Sequence, residues 1–129
     1  MLRYNASSDA PSNELWPLLA RPERWPEWAP HLRGAWGLGW PEVKPGATGA
    51  ARLFGFMPVP ATIVRKRHGR SWAWKVGPVE MDHRLVPTQR GTDVEVTLKA
   101  PRPVELALAA TYGPVMKLAL RRLATRPGR

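Results

Sequence analysis

From residue 32 to residue 100 the chain carries six strand patterns in succession with no helical period between them, and this run restricts the fold more than any other feature. The candidate strands are 32–40, 49–56, 61–68, 71–76, 81–87 and 93–100. Turn chemistry separates them: Pro45-Gly46, Pro58 with Pro60, His68-Gly69, Gly77-Pro78 and Arg90-Gly91. The last strand is the clearest. Val94, Val96 and Leu98 alternate with Asp93, Glu95, Thr97 and Lys99, the pattern of a strand buried on one face. Parallel strands need long crossovers and the run contains none, so an antiparallel meander is expected.

The flanks supply the rest. Leu2, Tyr4 and Ala6 share one face of a seventh strand over 2–6. Ser7, Ser8 and Asp9 then offer N-cap oxygens, and Pro11 suits a first helical turn. In LWPLLARPERWPEW, residues 15–28, a helix bearing Leu15, Trp16, Leu18 and Leu19 must stop before Pro22, because the residue preceding proline disfavours helical backbone. A second short helix or turn carries Trp25 and Trp28 and ends near Pro30. After the strands, one long helix is expected over about 103–126. Pro103 and Glu105 favour its start, and Arg121, Arg122 and Arg126 complement its C-terminal dipole. Leu108, Tyr112, Val115, Met116, Ala119, Leu120 and Leu123 fall in one sector, with Ala110, Lys117 and Arg121 opposite. Pro114 cannot donate to the carbonyl of Ala110, so a kink or break is expected at Gly113-Pro114.

The length, 129 residues, corresponds to a single domain over 1–129. No cysteine is present, which excludes disulfides, thiolate catalysis and cysteine-ligated zinc. No apolar run approaches the roughly 20 residues that span a bilayer, and the first ten residues lack the apolar core of a signal peptide; a cytoplasmic, soluble protein is the expectation. The formal charge is +10, from fifteen Arg and five Lys against ten acidic residues. Such charge attracts nucleic acid or anionic lipid through a general field. The basic residues are dispersed, however, and no run exceeds Arg65-Lys66-Arg67. A solvated surface is therefore preferred over a nucleic-acid partner, and an anionic membrane surface meeting Arg121, Arg122 and Arg126 stays open as a partner. Three scattered histidines give no metal-ligand spacing, and there is no Gly-rich phosphate loop, nucleophile elbow or paired carboxylates, so neither metal nor cofactor is expected.

Four segments, in order, resemble one superfamily. They are residues 15–28, Lys44-Pro45-Gly46-Ala47-Thr48-Gly49, His68-Gly69-Arg70-Ser71-Trp72-Ala73-Trp74, and His83-Arg84-Leu85-Val86-Pro87 followed by Gly91-Thr92-Asp93-Val94. Together they resemble the START-like or SRPBCC superfamily, which holds the polyketide cyclase/dehydrase and lipid-transport proteins and shares its fold with the pollen allergens. The resemblance covers essentially the whole chain. It implies an α+β helix-grip fold: a curved seven-stranded antiparallel sheet, with two short helices after strand 1, wrapped around a long C-terminal helix. The order of elements read from the residues gives the same sequence independently. In this superfamily an apolar cavity lies between sheet and helix. The implied function is binding or transport of a small hydrophobic molecule, such as a lipid, polyketide-like or isoprenoid compound. The alternatives are a cyclase or dehydratase acting on a bound keto substrate, and a basic surface that docks on nucleic acid or anionic membrane.

Within that frame the cavity candidates are Trp28, Trp72, Trp74, Met81, His83, Leu85, Leu108, Tyr112 and Met116. Strand parity sets Met81, His83 and Leu85 on one face and Asp82, Arg84 and Val86 on the other. If Leu85 faces inward, His83 is either a base or ligand donor of lowered pKa, or a structural histidine bonded to a backbone or tyrosine oxygen. Reversed parity would turn Asp82 and Arg84 inward instead. Tyr112 could orient a ligand oxygen or satisfy its hydroxyl on a carbonyl such as that of Ala110. His31 and His68 read as exposed turn residues. Residues 56–60 and Gly113-Pro114 are expected to gate access. No residue is assigned a catalytic role, and whether the protein is an enzyme stays open.

Overall fold

Each of the seven strand patterns forms a strand, and all seven join one antiparallel sheet. The computed structural model describes residues 1–29, 31–53 and 57–126, apart from the side chains of Arg33 and Leu53. In chain order the elements are β1 (Leu2–Ser8), α1 (Ser12–Ala20), a 3₁₀ helix (Pro22–Glu27), β2 (Leu32–Trp36), β3 (Thr48–Leu53), β4 (Met57–Arg67), β5 (Ser71–Val76), β6 (Val79–Pro87), β7 (Thr92–Lys99), α2 (Arg102–Thr111) and α3 (Gly113–Thr125). The sheet order is β1-β7-β6-β5-β4-β3-β2. The hairpins β2 to β7 pair as a meander, and β1 closes against the last strand, Leu2 opposite Leu98 through Ser8 opposite Thr92. Register shifts in β2 and β4 mark local irregularities of the kind that bend a sheet. The result is the helix-grip architecture, with the C-terminal helices laid across the inner face of the curved sheet.

Alternation sorts the two faces as expected. On β7, Thr92, Val94, Val96 and Leu98 are buried while the residues between them are not. α3 buries Gly113, Met116, Ala119, Leu120, Leu123 and Ala124 against the sheet and leaves Lys117, Arg121 and Arg122 in water. Gly113 is selected by proximity, since a Cβ there would stand 3.1 Å from the Tyr4 hydroxyl.

Gly113-Pro114 interrupts the long helix, as expected, and divides it into α2 and α3 with Tyr112 as the junction residue. Three expectations are corrected. The start of α1 is not capped by a side chain from 7–9; Pro11 is the N-cap and its carbonyl accepts from Glu14 N. Ser8 instead donates its hydroxyl to the Ala124 carbonyl and accepts from Ala10 N–H, tying β1 to the end of α3. The strand expected over 32–40 ends at Trp36 because Gly37 and Gly39 take positive φ of 78° and 122°. Finally, Met57 to Pro60 do not form a gating loop. They are the first residues of β4, with Pro60 opposite Ala50 and Pro58 opposite Arg52; Phe56, the other residue of that expected gate, lies outside the described residues.

Candidate functional site

The tryptophans are organised by the end of α1. A helix leaves its last carbonyls without intrahelical donors, and here indoles supply them. Leu19 O accepts from both Trp25 Nε1 at 2.9 Å and Trp72 Nε1 at 3.0 Å, and Leu18 O accepts from Trp28 Nε1 at 2.8 Å. Trp25 and Trp72 stack at 5.3 Å, and the other face of Trp72 stacks on His83 at 3.9 Å. Trp74 stands edge-on to both Trp25 and Trp72. This cluster forms a solid floor under the inner face of the sheet.

Above the floor, under α2, lies an apolar cleft of about 140 Å³. The sheet lines it with Ala51 of β3, Val59 of β4, Trp74 and Val76 of β5, Val79 and Met81 of β6 and Leu98 of β7; Leu108 of α2 and Tyr112 cover it. A second, inner space of about 10 Å³ continues from the same Trp74, Met81 and Tyr112 toward the floor, about the room of one water molecule. His31, His83, Trp28, Trp72 and Met116 border it. α2, which covers the cleft, buries none of its residues fully, and Leu106 on its outer side is 65% exposed.

The polar groups here are few and buried. Tyr112 and His31 share a hydrogen bond of 2.7 Å between Oη and Nε2, with the rings edge to face. Burial pushes the His31 pKa down to about 4. The same cause, with a smaller contribution from Tyr4, raises that of the Tyr112 phenol above its usual value. His83 directs Nδ1 at the Trp72 carbonyl, 3.3 Å away, and burial again lowers its pKa to about 4. Both histidines are therefore neutral at pH 7, so Nδ1–H of His83 is the donor in that contact. Trp74 contributes a further donor. Its side chain is only 6% exposed, and its Nε1–H has no acceptor among the described residues.

The structure brings most of the sequence candidates together. Trp74, Met81, Leu108 and Tyr112 line the cleft; Trp28, Trp72, His83 and Met116 border the inner space; Leu85 is buried in the core and borders neither. Parity on β6 is the expected one, with Asp82 and Arg84 turned to the outer face, where they pair at 3.3 Å. Tyr112 does not bond the Ala110 carbonyl but His31, and His31 is no exposed turn residue: it is 3% exposed. A turn in which Leu32 N donates to Ala29 O folds it inward, and no periodicity in the sequence marks that. His68 does lie in the open, 3.4 Å from Glu42. Sequence reasoning also missed Ala51, Val59, Val76, Val79 and Leu98 as lining residues; alternation gave the faces of Val76 and Leu98, but not that they border a space, and gave no face to Ala51, Val59 or Val79. Among the described residues no group of His, Asp or Glu is placed to hold a metal ion, and no helix is long and apolar enough to cross a membrane.

Solved structures share this arrangement at low sequence identity. A protein of Thermobifida fusca, solved in solution by NMR, is similar with a TM-score of 0.78 at 17% identity, over 99% of this chain and 93% of that one. A crystal structure of a Staphylococcus saprophyticus protein gives 0.75 at 17% identity, over 98% and 90%. Ara h 8.0201 gives 0.64 at 12% identity, over 95% of each chain. No curated protein matches in sequence. The family model described as polyketide cyclase / dehydrase and lipid transport matches residues 2–127. With that match over nearly its full length, on a helix-grip fold with an apolar cleft under its C-terminal helices, the chain belongs to the polyketide cyclase / dehydrase and lipid transport family.

Proposed function

We propose that this protein binds a small hydrophobic molecule, of lipid, polyketide-like or isoprenoid type, in the cleft between the sheet and α2. The observation that carries the reading is the lining itself: five adjacent strands and one helix contribute apolar side chains to a single concave space. At about 140 Å³ the space is close to that of an apolar cavity of roughly 150 Å³ that stays dry and takes up benzene. A longer guest needs α2 to move. That helix is the element least held by burial, and the Gly113-Pro114 break separates it from α3. Native mass spectrometry of freshly purified protein tests the reading, with extraction and identification of whatever is released. A stoichiometric apolar adduct on the native protein, lost in Val79→Phe, is the expected result. An adduct retained undiminished in that variant contradicts the site.

Two narrower readings each have an observation behind them. The His31–Tyr112 hydrogen bond favours proton transfer on a bound keto substrate. Tyr112→Phe would then abolish turnover of a keto probe and leave its binding intact; equal loss of both removes the enzyme reading. On the outside, Arg3, Lys117 and Arg121 line a groove between β1 and α3, and Leu118 beside them is 42% exposed. No acidic group pairs with these three cations among the described residues. That favours contact with an anionic bilayer. Co-sedimentation with anionic liposomes should fall with salt and with Arg121→Glu, and binding indifferent to both removes the membrane reading.

A further inference from the structure

The cleft and the inner space below it hold unengaged hydrogen-bonding capacity but no charge, and this combination defines a ligand class. The inference rests on the proposed binding function and goes beyond it by fixing the chemistry of the guest. Trp74 lines both spaces, and its buried Nε1–H has no acceptor among the described residues. A buried donor without an acceptor costs stability unless something else supplies one. Tyr112 lines both spaces as well, and its hydroxyl can present a second donor. With the proton of neutral His31 on Nε2, that N–H donates to the Tyr112 oxygen and frees the phenol O–H. The two residues that carry these donors thus line the same apolar spaces. Among the described residues, no Lys or Arg lines either space. The arginines and lysines of the sheet lie on its outer face or its margins, as with Arg65, Arg84 and Lys99 around the outer groove.

We propose that the cleft selects an electrically neutral hydrophobic ligand bearing one acceptor oxygen, a ketone, ester or alcohol, held by Trp74 Nε1–H and the Tyr112 hydroxyl, and that it rejects the corresponding carboxylate. A carboxylate would accept from the same donors, but with no cation beside it the charge would lose its hydration uncompensated. The acid can enter only by taking up a proton first. For a carboxyl with an ordinary pKa a little above 4, that limits the penalty at pH 7 to about two to three orders of magnitude in affinity. The titratable groups facing the two spaces are His31 after the 3₁₀ helix, His83 on β6 and Tyr112 between α2 and α3, with Tyr4 of β1 beside Tyr112. All four are uncharged between pH 5.5 and 8 as their shifts run, so the pH dependence in that window belongs to the ligand.

The test compares methyl decanoate, decanol and decanoate by quenching of tryptophan fluorescence, from about pH 5.5 to 8, a window above the two lowered histidine pKa values. Methyl decanoate and decanol should bind independently of pH. Decanoate should bind about 100-fold more weakly at pH 7, with its affinity falling close to tenfold per pH unit. Trp74→Phe and Tyr112→Phe keep the rings and their packing, and each should weaken the ester several-fold. Decanoate binding as tightly as its ester at pH 7 overturns the selectivity while leaving the container reading intact, and so does an ester affinity unmoved in both variants. Failure of all three probes to bind overturns the container reading and this inference with it.

Discussion

His31 and His83 lie under the sheet with their charged forms disfavoured, and that makes the fold acid-sensitive. Burial lowers each from 6.5 to about 4. Between those values the unfolded chain binds more protons than the folded one, so stability is complete above about pH 6.5 and is lost as pH falls toward 4. Glu27 and Glu42 are also lowered, Glu27 chiefly by its bond to Arg24, and Glu42, against the opposing and largest effect of burial, by Lys66, Trp16 and His68 together, and they act in the same direction. Urea denaturation between pH 7.5 and 4.5 should show the unfolding free energy falling steadily below about pH 6.5, by on the order of 1 kcal/mol per pH unit for each histidine; His83→Gln should flatten the slope. A midpoint independent of pH would show the histidines to be solvated. At the same scale, Trp25→Ala removes the stack on Trp72 and a donor to Leu19 O, and should cost about 3–5 kcal/mol. Trp40, 72% exposed, should tolerate alanine within about 0.5 kcal/mol. His83 facing inward was legible from strand parity. His31 was not, because a turn rather than a period buries it, and with it went the partner of Tyr112.

Among the elements, α2 and α3 divide one amphipathic sequence into two jobs. α3 buries a continuous stripe from Met116 to Ala124 and is tied at its end through Ser8 to β1. α2 has Leu108 half-buried over the cleft and no residue fully buried. Amide hydrogen exchange should therefore run faster through residues 102–111 than through 113–125, and a bound guest should slow the former. Equal protection of both helices without ligand would make α2 part of the rigid core. The break was legible, since proline inside a helical pattern removes a donor and clashes with the preceding turn. Its consequence, a separate helix resting on an apolar space, was not. Hydrophobic period reports which face turns inward and does not report whether that face meets another side chain or a void. The same limit explains why β7 was read correctly while the role of Leu98 in the cleft was not, and why Met57 to Pro60, with two prolines, were expected as a loop although they pair at the start of β4.

For the whole molecule, the sheet, the tryptophan floor and the paired C-terminal helices enclose a small apolar space with a neutral polar end, while the net charge of +10 lies in side chains turned largely to water. Order of elements and four short motifs made the architecture legible, because a meander closed by its first strand has few alternatives once the helices flank it. The proposed seat of a hydrophobic guest is the cleft under α2. Methyl and amide chemical-shift mapping by NMR, during titration with methyl decanoate, addresses it most directly. The largest shifts are expected at Ala51, Val59, Val76, Val79, Leu98 and Leu108, together with the indole Nε1–H of Trp74. Shifts confined to the outer groove around Arg3, Lys117 and Arg121, or no shifts at saturating ester, would contradict it.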